Sequence, residues 1–124
     1  MRVFKNAWFA RFTRKENIAA SALWDAIERA ENGQIDADLG GGIIKQRIAR
    51  PGEGKSKGYR SIILFKKDEK AFFVYGFPKS ELGNIRTDEQ EQFKKMAKHV
   101  LALTDIQLNV FIANGQFEEV KQDD

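Results

Sequence analysis

Residues 43–77, IIKQRIARPGEGKSKGYRSIILFKKDEKAFFVYGF, decide the fold because they contain three segments rich in β-branched and aromatic residues. Ile43–Ala49, Tyr59–Lys66 and Ala71–Phe77 each have the composition and length of a β-strand. The polar link Lys67–Lys70 suits a hairpin between the last two segments. The Gly- and Lys-rich segment Arg50–Gly58 predicts a loop between the first two. We therefore expect an antiparallel meander of three strands over this stretch.

The sequence before the meander predicts a strand and two helices. Arg2–Phe4 is a strand candidate, and a helix follows over residues 7–15. Asn17 is a suitable cap for a second helix, in which apolar residues repeat at helical spacing. Asn32-Gly33 provides the stop of this helix, because glycine tolerates the left-handed conformation that ends many helices. The glycines at 40–42 predict a flexible link to the meander.

The sequence after the meander predicts two further helices and an edge strand. Thr87 and Gln90 have the spacing of a capping box, as do Thr104 and Gln107, and an apolar helical pattern follows each pair. The last helix stops at Asn114-Gly115, and residues 117–120 add a small edge strand. We expect one α+β domain over residues 1–124, in which a small antiparallel sheet (the N-terminal strand plus the meander) packs on helices. Its core covers about residues 1–103, and a C-terminal helical extension covers about 104–124.

The composition is that of an ordinary globular protein and excludes several kinds of site. The 124 residues include 42% hydrophobic and 31% charged side chains and no cysteine. Disulfides, thiolate zinc sites and cysteine nucleophiles are therefore excluded, which suits a reducing cytoplasm. The longest apolar runs are far short of the roughly 20 residues that a membrane-spanning helix needs, and the N-terminus lacks the apolar run of a signal peptide.

The net charge of +3 is unevenly distributed along the chain. Residues 1–80 carry a net +7, and residues 81–124 carry a net −4. The densest basic stretch, residues 43–60, has a net +5 because Glu53 is its only acidic residue among six basic ones. This charge favours a polyanionic partner, with nucleic acid as the leading class. The alternative is a solvated loop whose charge serves only solubility.

The residues present argue against several classes of enzyme. The lone histidine, His99, lies inside a helical pattern with no second histidine or cysteine to form a metal cluster. The carboxylates are dispersed and form no HExxH or Asp-x-Asp motif. Gly54-Lys55-Ser56 resembles the end of a P-loop, but Ala49 stands where that motif needs glycine, and a strand rather than a helix is expected afterwards.

The period of the predicted strands places cations on one sheet face. Lys45 and Arg47 are two residues apart, so both side chains project from the same face, while Ile44 and Ile48 project from the other. Arg60 opens the next strand. The alternative interpretation of Lys45 and Arg47 is an ordinary polar strand face.

Aromatic residues of the last strand are predicted to join these cations. Tyr75 and Phe77 share one face at the end of that strand, and Lys79 follows immediately. If the strands pair as a meander, several cations and an aromatic platform lie on one surface. The alternative for Tyr75 and Phe77 is packing in the hydrophobic core.

Cations with aromatic residues are the groups that bind single-stranded RNA, through phosphate pairing and base stacking. The same groups can cleave RNA without a metal. Guanidinium groups neutralise the charge that develops on the phosphate, and a lysine among other cations releases its proton more readily, which suits it to acid–base work. Composition alone does not distinguish RNA cleavage from RNA binding.

Three segments of the sequence resemble the RelE/HigB toxins of bacterial type II toxin–antitoxin systems. They are Asp38–Arg47 (DLGGGIIKQR), Gly54–Arg60 (GKSKGYR) and Tyr75–Glu81 (YGFPKSE), and the second is the most specific. The resemblance implies an α+β fold like that of microbial ribonucleases, with helices on one side of an antiparallel sheet. It also implies a bacterial cytoplasmic toxin that cleaves messenger RNA at the ribosome without a metal or other cofactor, and a cognate antitoxin that neutralises it.

The resemblance also implies roles for named residues. The catalytic candidates are Lys45, Arg47, Arg60, Lys79 and Tyr75. Of these, Lys45 and Arg47 would perform acid–base work and contact the phosphate, while Arg60 and Lys79 would stabilise the transition-state phosphate. The candidates for RNA binding are Arg50, Lys55, Lys57 and Phe77, where the three cations hold the backbone and either Phe77 or Tyr75 stacks on a base.

Two alternatives to a ribonuclease remain on the sequence. The related ParE toxins share the fold and inhibit DNA gyrase without nuclease activity, but they generally lack this basic cluster. A non-catalytic RNA-binding module would show salt-sensitive RNA affinity and no growth phenotype.

Overall fold

The computed structural model describes residues 1–50, 54–78 and 85–122 and, for residues 54–57, only the backbone. The first half of the chain forms β1 (Arg2–Asn6), α1 (Ala7–Glu16), α2 (Ala20–Glu31), β2 (Ala37–Gly40) and β3 (Ile43–Arg50). The second half forms β4 (Gly54–Lys66), β5 (Lys70–Pro78), α3 (Thr87–Val100), α4 (Asp105–Ala113) and β6 (Phe117–Glu119). The expected α+β class is confirmed.

The described strands form one six-stranded sheet in the order β2-β3-β4-β5-β1-β6. The predicted meander is confirmed as β3, β4 and β5, which pair antiparallel in sequence. β1 lies parallel to β5, and β6 pairs antiparallel with β1, which confirms the predicted edge strand. The chain therefore returns to the sheet after α4, and Leu108 of α4 and Val120 are both buried.

Strand β2 was absent from the sequence prediction. Ala37–Gly40 pairs antiparallel with β3, and the glycines predicted as a flexible link form the tight turn between the two strands. Gly41 and Gly42 have φ of 62° and 84°, the left-handed region that glycine adopts at little cost. The turn thus makes β2 an edge strand beside the predicted meander.

Helices cover both faces of the sheet, so the arrangement on one side that the resemblance implied is wrong. Phe9 of α1 and Leu23 and Ile27 of α2 pack in one cluster with Ile44 and Ile48. Ala97 of α3 and Leu108 of α4 pack in a second cluster on the opposite face, with Ile43, Ile62, Leu64 and Phe72. The cause lies in the strands, because successive residues such as Ile43 and Ile44 are both apolar and need cover on opposite faces.

Asn17 ends α1 and does not cap α2, contrary to the sequence prediction. Asn17 has φ of 57°, and asparagine is one of the few residues that adopts this left-handed conformation readily. Helix α2 begins at Ala20, and its N-cap residue Ala19 makes no side-chain cap. The start of α1 is capped by Asn6, whose side-chain oxygen accepts a hydrogen bond from the Phe9 N–H at 2.8 Å.

The caps of the last two helices agree closely with the sequence pattern. Thr104 caps α4, and the reciprocal hydrogen bonds of Thr104 and Gln107 form the predicted capping box. In α3 the cap lies one residue earlier than predicted, because the Glu89 carboxylate accepts the N–H of Arg86 at 3.1 Å and Thr87 is already helical.

Candidate nucleic-acid interface

The predicted basic residues form part of two rows that cross β3, β4 and β5 on the face covered by α3. In the first row Arg47 is opposite Arg60, and Arg60 is opposite Phe77. In the second row Lys45 is opposite Ile62, and Ile62 is opposite Tyr75. Directly opposed residues of antiparallel strands share a face. We call the group Lys45, Arg47, Arg60 and Tyr75 the cationic end of the sheet.

Further along the same face, before an outermost row of Arg2, Lys66 and Lys70, lies an apolar group. Ile43, Leu64 and Phe72 form its row across the three strands, and Phe4 of β1 extends it. All four side chains have 0% exposure. We call this group the apolar end of the sheet. Helix α3 contributes the buried Ala97 to the same cluster, and its Phe93, one turn earlier, reaches Tyr75.

Arg60 is the half-buried centre of the cationic end. Its Nη1 atom is buried and has no hydrogen-bond partner among the described residues. Burial lowers the pKa of Arg60, the nearby positive charge of Arg47 lowers it further, and Asp36 opposes the shift. A guanidinium with an unused donor beside a second cation is an environment that an anion would stabilise.

Arg47 is exposed, and its backbone is fixed by a network around β2 and α2. The Asp36 carboxylate accepts the Arg47 N–H at 2.7 Å, and the Asp36 carboxylate oxygen lies 4.0 Å from Arg47 Nε. Arg29 donates from Nη2 to the Arg47 carbonyl oxygen at 2.5 Å. These contacts set the position of the strand while the Arg47 side chain remains on the surface.

Two buried polar residues support the cationic end from the opposite face. Gln46 has 0% exposure and donates from Nε2 to the Ala26 carbonyl oxygen, while its Oε1 accepts the Asp36 N–H at 2.7 Å. Ser61, also at 0% exposure, donates to the Gln46 carbonyl oxygen at 2.9 Å. Sequence reasoning missed both residues, although each interrupts an apolar strand face at the position next to a predicted site residue.

Tyr75 is half-buried within an aromatic group at the edge of β5. Its ring centroid lies 4.7 Å from that of Trp8 and 6.0 Å from those of Phe77 and Phe93. Trp8 reaches this position because β1 ends at Asn6 and its last pair with β5 is Lys5 with Phe73. Tyr75 thus shares a row with Lys45, with Ile62 between them, and its ring contacts are with other aromatic residues.

Phe77 occupies the same face but is buried in the core. Its side chain is 3% exposed and belongs to the cluster of Ile62 and Val74. The ring thus presents no open face on which a base stacks, and core packing, the alternative interpretation for this residue, fits its position.

Arg50, a predicted RNA-binding residue, lies on the opposite face of the sheet from the cationic end. Its guanidinium stacks over the Tyr59 ring at 5.2 Å and lies 3.8 Å from the Glu16 carboxylate. Tyr59 packs in the cluster of α1 and α2. The two-residue period of β3 places Arg50 on this face, together with Ile44 and Ile48 and away from Lys45 and Arg47.

Three predicted residues fall outside the description of the site. Lys79 lies outside the described residues, and the side chains of Lys55 and Lys57 do as well. The predicted loop Arg50–Gly58 is described from Gly54 onward, where the backbone is already strand β4. His99 is exposed on α3.

Among the described residues, no group of three or more histidine, aspartate and glutamate side chains is arranged to hold a metal ion. Within the same residues, no helix is both long enough and apolar enough to cross a membrane.

Comparison with protein families identifies the class of the chain. A family model described as "RelE toxin of RelE / RelB toxin-antitoxin system" matches residues 1–120. No curated protein sequence gave a significant match. The chain belongs to the RelE toxin family, as the GKSKGYR segment and its neighbours indicated. It is therefore the toxin of a toxin–antitoxin system, and the family implies a partner antitoxin.

Proposed function

We propose that this toxin is a metal-independent endoribonuclease that cleaves messenger RNA at the ribosome, in the bacterial cytoplasm, and thereby inhibits translation. The observation that carries the proposal is the Arg47–Arg60 pair, in which the buried Nη1 of Arg60 has no hydrogen-bond partner among the described residues and lies beside a second guanidinium. Two neighbouring guanidinium groups with one nearby carboxylate, that of Asp36, keep a net positive charge that favours an anion at that point. The phosphate of RNA is the anion that family membership makes most relevant.

The proposed reaction is internal transfer at one phosphate of the RNA. The ribose 2′-oxygen loses its proton and attacks the adjacent phosphorus, and the bond to the 5′-oxygen breaks as that oxygen gains a proton. The products are a 2′,3′-cyclic phosphate and a free 5′-hydroxyl. Negative charge grows on the non-bridging oxygens during attack, so preorganised donors at those oxygens lower the barrier.

The cationic end offers a group for each requirement. The half-buried Arg60 guanidinium donates to a non-bridging oxygen, and the exposed Arg47 side chain contacts the phosphate from the solvent side. Lys45, one residue pair further along the same face, moves protons between the 2′-oxygen and the 5′-oxygen. Tyr75 stacks beside the cleaved phosphate, and Lys79 adds a further positive charge to the transition state.

The test is induction of the toxin in a bacterial host, followed by mapping of transcript 5′ ends. Wild type is expected to arrest growth and to create new 5′ ends within coding sequences. Arg60→Ala is expected to abolish both effects, because a donor to the transition-state phosphate is worth about 10²–10³ in rate.

Lys66→Ala is the matched control for this experiment. Lys66 lies on the same strand as Arg60 but is exposed at the opposite end, where it pairs with Glu69 at 3.3 Å. The control is expected to behave as wild type. Growth arrest by Arg60→Ala equal to wild type, with no new transcript ends in either, would contradict a ribonuclease. DNA damage signalling with intact transcripts would instead indicate a gyrase inhibitor.

A further inference from the structure

An exposed stripe of alternating aromatic and basic side chains runs along helix α1. Trp8, Arg11, Phe12 and Lys15 are spaced i, i+3, i+4 and i+7 and line one open groove. The side chains of Arg11 and Lys15 are exposed, and within the described part of the chain neither forms an ion pair with a carboxylate. The helix also has no acidic residue in its first turn.

Trp8 is the one tryptophan of the two that presents a substantial surface to solvent. Its side chain is 38% exposed, although an indole at this position is large and apolar. Phe12 stacks on one side of it, with ring centroids 5.4 Å apart and an interplanar angle of 17°. The indole is therefore held in a fixed orientation, and an exposed aromatic ring that neighbours fix in place is a suitable platform for a base.

The stripe is continuous with the cationic end of the sheet. Trp8 contacts Tyr75 at 4.7 Å between ring centroids, and Tyr75 lies in the same row as Lys45. β1 does not continue beside Tyr75, so the path from the row to Trp8 crosses the edge of β5. A strand of RNA that leaves the cationic end along this row reaches Trp8 next.

From these observations we infer that the α1 groove is a second RNA subsite, in which a nucleotide flanking the cleaved phosphate stacks on Trp8. Arg11 and Lys15 hold the phosphates of that segment. The inference rests on the proposed function, because it follows the RNA substrate outward from the cationic end, where cleavage is proposed. Alternating cations and aromatic rings are the pattern that binds single-stranded nucleic acid without sequence preference.

A protein occupant is the competing interpretation of the groove. A groove that binds an amphipathic helix is hydrophobic and accepts a row of apolar side chains from that helix. Here the stripe contains two cations, and its aromatic residues are linked to the cationic end through Tyr75. These features favour RNA over a protein segment, and an acidic peptide is included in the experiment to test the choice.

The experiment uses tryptophan emission, which does not depend on cleavage. The chain has two tryptophans, so Trp24→Phe leaves Trp8 as the sole emitter and Trp8→Phe leaves Trp24. The probe is a single-stranded 2′-O-methyl RNA oligonucleotide, which lacks the attacking hydroxyl and cannot be cleaved. Binding itself is followed in parallel by the fluorescence anisotropy of a dye on the oligonucleotide.

RNA is expected to quench the emission of Trp8 in a saturable titration and to leave Trp24 unaffected. Trp24 is partly buried and donates from Nε1 to the Val120 carbonyl oxygen, so it serves as an internal reference. Trp8→Ala is expected to weaken binding about tenfold or more, since stacking of one base is worth roughly 1–3 kcal/mol. Trp8→Phe keeps an aromatic ring against Phe12 and is expected to retain most of the affinity.

Arg14→Ala is the matched control for Arg11→Ala and Lys15→Ala. Arg14 is exposed on the same helix but does not line the groove. The two groove variants are expected to weaken RNA binding more than the control and to reduce its salt dependence.

Two results would overturn the subsite. The first is unchanged Trp8 emission at RNA concentrations where anisotropy reports full binding. The second is a Trp8 response to an acidic polyglutamate peptide with none to RNA. Neither outcome depends on nuclease activity, so a protein that binds RNA through Trp8 without cleaving transcripts would refute the proposed function alone.

Discussion

Two arginines on the same face of the sheet have opposite environments. Arg2 lies beside the apolar end, where its Nε and Nη2 each donate to Glu119 at 3.0 Å and its Nη1 donates to Asp105 at 3.0 Å. Its hydrogen bond with Glu119 raises the pKa of Arg2. Arg60 lies in the cationic end, where burial and Arg47 lower its pKa and one buried donor has no partner in the part of the chain that the structure describes.

The difference indicates that Arg2 stabilises the fold, whereas Arg60 is placed to bind a ligand. The contacts of Arg2 join β1 to β6 and to α4, so they are complete within the chain. Arg60 is held beside a like charge, an arrangement that costs stability in the absence of an anion. Groups of this kind concentrate at functional sites.

Truncation at the apolar end is expected to give the largest effect on stability. Leu64 has 0% exposure, so Leu64→Ala removes buried contacts and leaves a cavity. We expect a loss of about 3 kcal/mol in the free energy of unfolding. Arg47→Ala, on the exposed part of the same face, is the control and is expected to change it by less than about 0.5 kcal/mol. Urea denaturation measures both, and equal losses would contradict the division of this face into two ends.

The Arg2–Glu119 pair is expected to give an intermediate and pH-dependent effect. The hydrogen bonds that Arg2 donates to Glu119 lower the pKa of the Glu119 carboxyl below its usual value of 4.5. A carboxyl with a depressed pKa in the folded state stabilises the fold above its unfolded pKa, and this contribution is lost as the pH falls through the folded pKa. Because the pair is partly solvent-screened, we expect Glu119→Gln to cost about 1 kcal/mol at pH 7.

Denaturation of wild type and Glu119→Gln across pH 2–7 tests this expectation. The difference between the two proteins should narrow below about pH 4 as Glu119 of the wild type becomes protonated. A difference that stays constant over the whole range would show that the charge of Glu119 contributes nothing.

Replacement of Arg60 is expected to increase stability, and the change in the free energy of unfolding should be the smallest of the three. Arg60→Met keeps the length of the side chain and removes a partly buried charge that faces Arg47. We expect the free energy of unfolding to rise by about 0.5–1 kcal/mol, as is common when a functional residue is replaced. Thermal unfolding at low ionic strength is the appropriate measurement, because salt screens the repulsion. A clear loss of stability in Arg60→Met would show that Arg60, like Arg2, stabilises the fold.

The alternation of strand side chains made the cationic end predictable from sequence. Lys45 and Arg47 lie on the face opposite Ile44 and Ile48 because a strand has a period of two residues. The same period places Arg50 on the face of Ile44 and Ile48, so strand alternation separates this predicted RNA-binding residue from Lys45 and Arg47. The register of β3 and β4 shifts after Ile48, and Gly58 was its signal in the sequence, because a Cβ there would overlap the Ile48 carbonyl oxygen.

Other features depend on contacts that a one-dimensional pattern does not contain. The Asp36 and Gln46 interactions join a segment before β2 to β3, and neither partner has a distinctive local pattern. Close approach of α1 explains Gly76, because a Cβ there would lie 2.8 Å from Phe12 and 3.0 Å from Phe9. The burial of Phe77 likewise follows from tertiary packing, which the strand period alone does not specify.

The most direct test of the cationic end is the rate at which purified toxin cleaves messenger RNA bound to ribosomes. Single-turnover reactions with Arg60→Ala and Lys66→Ala compare two cations of one strand, Arg60 in the cationic end and Lys66 in an ion pair with Glu69 at the opposite end. The account predicts that Lys66→Ala cleaves at the wild-type rate and that Arg60→Ala is slower by about 100-fold or more. Equal rates for the two variants would contradict it.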